Sequence, residues 1–126
     1  MRGRRRVAAL RVLGELQDRG CEAGGYRLTG EHLEHVCCRH LYGSDRLLTV
    51  WPEPERVVVI LVGPHSNATG DVYDQVLDAL GLETPDDERE KPACCDEEGS
   101  PPTDVEAAET IADAVESRAR QARRRR

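Results

Sequence analysis

The chain has 126 residues, which is enough for one domain and a short appendage. It contains no Phe, one Trp, one Met and only 3% aromatic residues, so any core must be built from Val, Leu, Ile and Ala. Its longest apolar run, RVVVILVG at residues 56–63, falls well short of the roughly 18 residues a membrane-spanning helix needs, and a net charge of −6 argues against a general nucleic-acid surface.

The charge is unevenly placed. Residues 1–82 carry 10 Arg against 11 Asp and Glu, whereas residues 83–126 carry 13 acids against 8 bases. Both ends are basic, RGRRR at 2–6 and RARQARRRR at 118–126, and such runs are usually solvated. There are five cysteines: Cys21, Cys37, Cys38, Cys94 and Cys95. No apolar signal-peptide stretch follows the basic N-terminus, so a cytoplasmic location with reduced thiols is expected.

Residues 4–18 predict an amphipathic helix with Ala9, Leu10, Leu13 and Leu16 on one face, and Gly20, Gly24 and Gly25 end it. Residues 26–33 predict a short extended or irregular segment. EHVCCRHLY then alternates as a strand, with His35, Cys37, Arg39 and Leu41 on one face and Val36, Cys38, His40 and Tyr42 on the other. GSD turns the chain into a second strand, RLLTVW, and PEPE turns it into a third, RVVVILVG. The third is apolar on both faces, which predicts a central strand with Val59 and Ile60 buried on opposite sides.

Residues 71–81 predict a helix stopped at Gly81. Residues 83–102 are acidic, bear Pro and hold almost no apolar side chain, which predicts a disordered linker. A capping box of Thr103 and Glu106 predicts a last amphipathic helix over 103–126 with a basic end. The sum is an α+β fold: helix, three-stranded antiparallel meander and helix over 1–82, then linker 83–102 and helix 103–126.

Residues 7–73 resemble the RelE/ParE toxin superfamily of bacterial toxin–antitoxin modules. Leu28-Thr29-Gly30 matches its Leu-x-Gly element, and Asp45-Arg46-Leu47-Leu48 its second strand. Pro52–Glu55 stands at its acidic turn, and Val57–Val62, Gly63, His65, Val72 and Tyr73 match its last strand and tail. The chain departs from the pattern in opening on a helix rather than a strand, and in a longer stretch between His65 and Tyr73. It also has Ser66 and Asn67 where basic residues usually stand, and residues 83–126 have no counterpart.

The resemblance implies an endoribonuclease or translation inhibitor that activates the ribose 2′-hydroxyl against the adjacent phosphate. Such chemistry needs a base, cations for the developing phosphorane charge and an acid for the leaving oxygen, but no metal. It implies Arg46, His65 and Tyr73 as catalytic residues, with Arg39 and Arg46 binding phosphate through their planar guanidinium forks. Hairpin geometry predicts that Arg39, Arg46 and His65 converge while Arg56 stays at the far end. The implied partners are an antitoxin protein and RNA or the ribosome, with no DNA, membrane or cofactor.

Two alternatives stand beside this reading. One is a non-catalytic protein-interaction module on the same fold. The other is a small zinc-binding structural protein drawing on His32, His35, Cys37, Cys38, His40 and the Cys94-Cys95 pair. Against zinc, vicinal cysteines on a strand face opposite ways and no C-x-x-C spacing occurs.

Overall fold

The computed structural model describes residues 3–28, 33–65, 71–82 and 92–124. Helix α1 spans Gly3–Arg19 and buries Ala8, Ala9, Val12 and Leu16, the three-to-four-residue spacing of a single helical face. Leu10, expected on that face, is 57% exposed because the stripe is centred on Val12 instead. Gly20 ends the helix with φ +61, a left-handed conformation that suits glycine, and a short 3-10 turn over Gly20–Ala23 follows.

The expected three-stranded meander is a four-stranded antiparallel sheet in the order β1-β2-β3-β4. The strands are β1 Tyr26–Arg27, β2 Val36–His40, β3 Asp45–Glu53 and β4 Arg56–Pro64. The added strand pairs Tyr26 with Cys38 and Arg27 with Cys37. Gly25 makes that approach possible: its φ is +82, and a Cβ there would lie 2.0 Å from the Cys38 carbonyl oxygen. With β1 beyond β2, the centre of the sheet is shared by β2 and β3, and β4 is an edge. The expectation of a central RVVVILVG strand is therefore corrected. Leu47, Leu48, Thr49 and Val50 of β3 are at most 1% exposed, whereas Val57 to Val62 of β4 are only half-buried. Val59 and Ile60 do face opposite cores.

Helices cover both faces. Against α1, Ala9, Val12 and Leu16 pack on Cys37, Leu47, Trp51 and Cys94. The other face receives α2, Val72–Leu80, and α3, Val105–Arg124, whose Val72, Val76, Ala108, Ile111 and Val115 pack on Val36, Cys38, Leu48 and Val50. Helix α2 is capped at both ends: Gly81 stops it as expected, left-handed with φ +69, and the Asp71 carboxylate accepts from the Tyr73 and Asp74 amides. The cap of α3 sits one residue later than expected, at Asp104. Asp104 Oδ1 accepts from the Ala107 amide at 2.9 Å, while the Thr103 hydroxyl is turned back to the Pro101 carbonyl. No helix among the described residues is long and apolar enough to cross a membrane.

From Pro92 onward the expected linker is fastened to the sheet. The Arg27 amide donates to the Pro92 carbonyl (2.7 Å), and the Cys94 amide to that of Gly25 (3.0 Å). Arg27 Nε reaches the Cys94 carbonyl at 3.0 Å, Cys94 is fully buried, and Pro101 and Pro102 are buried. Cys21 and Cys95 form a disulfide, so the expectation of five reduced thiols fails for these two. Acidic composition argued for disorder here, but the cysteines anchor the segment without an apolar stripe. The part of the linker at residues 83–91 lies outside the described residues.

Candidate functional site

One end of the sheet collects the polar chemistry. There the turn between β2 and β3 meets the end of β4. His40, Arg46 and Gly63 stand side by side in cross-strand register, so they share the face that carries α2 and α3. The chain leaving β4 is held against the turn by the His65 amide, which donates to the Ser44 carbonyl at 2.8 Å. Gly63 lets α2 close on this corner: a Cβ there would meet Val72 Cγ1 at 3.0 Å.

Asp71 organises the corner. It is 4% exposed, and its Oδ1 caps α2 through the Tyr73 amide at 2.8 Å. Its Oδ2 lies 2.9 Å from His65 Nδ1, while the His65 side chain is 48% exposed. With Nδ1–H donated to the carboxylate, the basic nitrogen of the imidazole is Nε2. The Tyr73 ring meets the His65 ring edge-on at 4.4 Å. Its hydroxyl lies 2.6 Å from the Tyr26 hydroxyl and 3.0 Å from Cys38 Sγ. Burial, then the contacts with Cys38 and Tyr26, push the Tyr73 phenol far above its ordinary range. Tyr26 is raised as well, chiefly by burial, and the nearby Arg46 guanidinium pulls weakly the other way. The Tyr73 ring buttresses the imidazole through its edge contact with His65.

The sequence-expected residues divide. Arg46, His65 and Tyr73 lie at this end of the sheet: the His65 and Tyr73 rings touch, and Arg46 is the register partner of Gly63, two residues before His65. Arg46 donates from Nη1 to the Asp45 carbonyl at 3.1 Å, and its Nε is buried without a hydrogen-bond partner. Arg39 does not join them, which corrects its expected place in the phosphate-binding group. Strand alternation puts it with Cys37 on the α1 face, where it pairs with Glu15 at 2.7 Å and donates to the Ala23 carbonyl. Arg56 stands at the opposite end of β4, as expected. Asp71 and Tyr26 were not anticipated, and Cys38 was expected only among possible zinc ligands. An Asp directly before a helical run was a readable cap signal, but nothing in the spacing ties it to His65.

On the other face, Cys37 and Cys94 share a hydrogen bond that raises the Cys37 thiol and lowers that of Cys94. Among the described residues, no group of three or more His, Cys, Asp or Glu side chains is placed to hold a metal ion. His32, part of the zinc alternative, lies outside them.

Compared with family models, curated proteins and solved structures, the chain matches none.

Proposed function

We propose that the protein is a metal-independent endoribonuclease of the RelE/ParE toxin type, working at the Arg46–His65 corner. The observation that carries this reading is the Asp71-oriented imidazole of His65, half-exposed two residues beyond Gly63, which is the register partner of Arg46. In the proposed step His65 Nε2 takes the ribose 2′-hydroxyl proton and the 2′-oxygen bonds to phosphorus. The phosphorus–O5′ bond breaks, and the leaving oxygen takes the proton back from the imidazolium. The products are a 2′,3′-cyclic phosphate and a 5′-hydroxyl. Arg46 supplies the fixed positive charge for the extra charge on the phosphoryl oxygens. An antitoxin protein and the ribosome are the partners this reading implies.

The test is cleavage of messenger RNA, free and ribosome-bound, by wild-type protein and by Arg46→Ala and His65→Ala, with end-group analysis of the products. Cutting that leaves cyclic phosphate ends and is lost in both variants is the expected result. No cutting by the wild type, and no growth inhibition on its expression, would sink the reading. A cytoplasmic location belongs to this proposal, and the Cys21–Cys95 disulfide weighs against it, since cytoplasmic thiols are kept reduced. Alkylating the thiols at lysis and counting them decides that point.

The interaction-module reading has one observation of its own. Among the described strands β4 pairs only with β3, so its other edge presents six successive half-buried apolar residues, Val57–Val62, to any added strand.

A further inference from the structure

We infer that the basic end of α1 and the exposed ring of Tyr42 form a binding surface for single-stranded RNA leading to the Arg46–His65 corner. The inference rests on the endoribonuclease reading and adds the surface that would hold the substrate.

Helix α1 begins GRRR, with three arginines and no acid in its opening turn. Cations there oppose the helix dipole, so this arrangement costs the isolated helix stability. One of the three is spent internally: Arg5 Nε and Nη2 each lie 2.9 Å from the Asp45 carboxylate, which docks the start of α1 against the β2–β3 turn. That pairing also neutralises the acid next to Arg46. Arg4 and Arg6 remain exposed, with Arg11 two turns further along the helix.

Tyr42 lies on that turn, 56% exposed, and nothing in the core accounts for an aromatic ring at this place. Arg4 Nη1 donates to its hydroxyl at 3.1 Å, and the guanidinium carbon stands 5.8 Å from the ring centroid. A solvent-facing ring with a guanidinium beside it suits an unpaired base, because every base has a stacking face and its neighbouring phosphates need cations. The surface starts on the α1 face and reaches the proposed catalytic corner round the end of the sheet, through the β2–β3 turn. Tyr42, Ser44, Asp45 and Arg46 follow one another through the turn, and the His65 amide is bonded to Ser44. Exposed acids lie at the far end of the sheet: Glu53 and Glu55 at the β3–β4 turn, and Asp104 and Glu106 at the start of α3, which is fastened to Trp51 by the Asp104 amide. Arg56 is the exposed cation among these acids, so the molecule presents its more cationic end to a polyanion and a net acidic turn away from it. A duplex would keep its bases stacked on each other and out of reach of Tyr42.

The test uses the full chain and a fluorescent single-stranded oligonucleotide with 2′-O-methyl riboses, which cannot cyclise and so reports binding without cleavage. Wild type should bind it more tightly than the matching duplex. Tyr42→Ala should weaken binding by on the order of tenfold or more, the usual loss of one stacked base. Arg4→Ala should weaken it and flatten its salt dependence. Circular dichroism checks the folds, and both side chains are at the surface. Equal binding by Tyr42→Ala, a preference for duplex, or no binding at all would overturn the inference. So would Tyr42-dependent capture of an acidic peptide in place of RNA. The all-RNA oligonucleotide separates the two claims. Binding without cutting leaves this surface standing and removes the catalytic reading; cutting with unchanged Tyr42→Ala binding does the reverse.

Discussion

The hydroxyls of Tyr26 and Tyr73 lie 2.6 Å apart although 47 positions separate them in the chain. The contact ties the two-residue β1 to the first turn of α2 across the sheet, with the Cys38 thiol as a third member. It fixes the ring on which His65 rests, so a structural hydrogen bond sets the position of the proposed base.

Replacing Tyr73 with Phe should therefore cost about 1 kcal/mol of stability, the usual net value of such a bond. Tyr26→Phe should cost a similar amount, and the double variant less than the sum, because the two hydroxyls serve each other. Urea denaturation of the three variants measures this. Strict additivity would mean the hydroxyls do not interact in solution.

The same phenol makes an alkaline prediction. The Tyr73 pKa is raised above its ordinary value of 10.0, so the folded state holds this proton more tightly than the unfolded chain does. The stabilisation is complete below that value and is lost as pH rises above it, where the unfolded tyrosine ionises first. The melting temperature of the wild type should fall above about pH 10, and that of Tyr73→Phe should fall less steeply. Parallel curves would show that another group controls alkaline unfolding.

Asp71 serves the helix and the imidazole at once, and two substitutions separate these roles. Asn is as good a helix cap as Asp, so Asp71→Asn should change stability by well under the cost of losing the cap. Asp71→Ala should lose about 1 kcal/mol. Both remove the carboxylate from His65, so both should lower RNA cleavage together. If Asp71→Asn cleaves like wild type, the carboxylate is a cap and nothing more.

Local patterns were readable in the sequence where the physics is local. The alternation of Val36 to His40 gave the correct faces of β2, and Gly81 marked the end of α2. What failed depended on distant partners. An apolar run such as Val57–Val62 reads the same at a sheet's centre and at its edge, and the difference was made by a two-residue strand fitted through Gly25. The segment 92–102 reads as polar chain because composition does not register a disulfide. For the site, hairpin geometry placed Arg46 beside the end of β4, but proximity along the strand axis said nothing about faces, and Arg39 lies on the wrong one.

The Cys21–Cys95 disulfide closes a span of 74 residues and holds the 92–102 segment to the end of α1. Chain-entropy reasoning for a loop of this length gives about 4 kcal/mol, and measured values usually run from about 2 to 4. Cys95→Ser, or reduction of the wild type, should lower stability by that amount and free the segment first. Hydrogen exchange at Cys94 and Arg27, whose amides bond to Gly25 and Pro92, would report the release. Unchanged protection at those amides after reduction would show that packing of Cys94 alone holds the segment.

The position of β4 can be tested with one chemical change made at two places. Val50 on β3 is fully buried between Val36 and Val58, whereas Val59 on β4 is half-buried. Replacing Val by Ala removes two methyl-sized groups at each site. At Val50 the loss includes the full transfer free energy and a cavity that a central strand cannot close, about 2–3 kcal/mol. At Val59 solvent already reaches the side chain and the edge strand can shift inward, so the cost should be about 1 kcal/mol. Thermal melts of Val50→Ala and Val59→Ala under identical conditions should therefore separate clearly. Equal losses would mean that β4 is covered in solution, and the free edge, together with the interaction reading built on it, would fall.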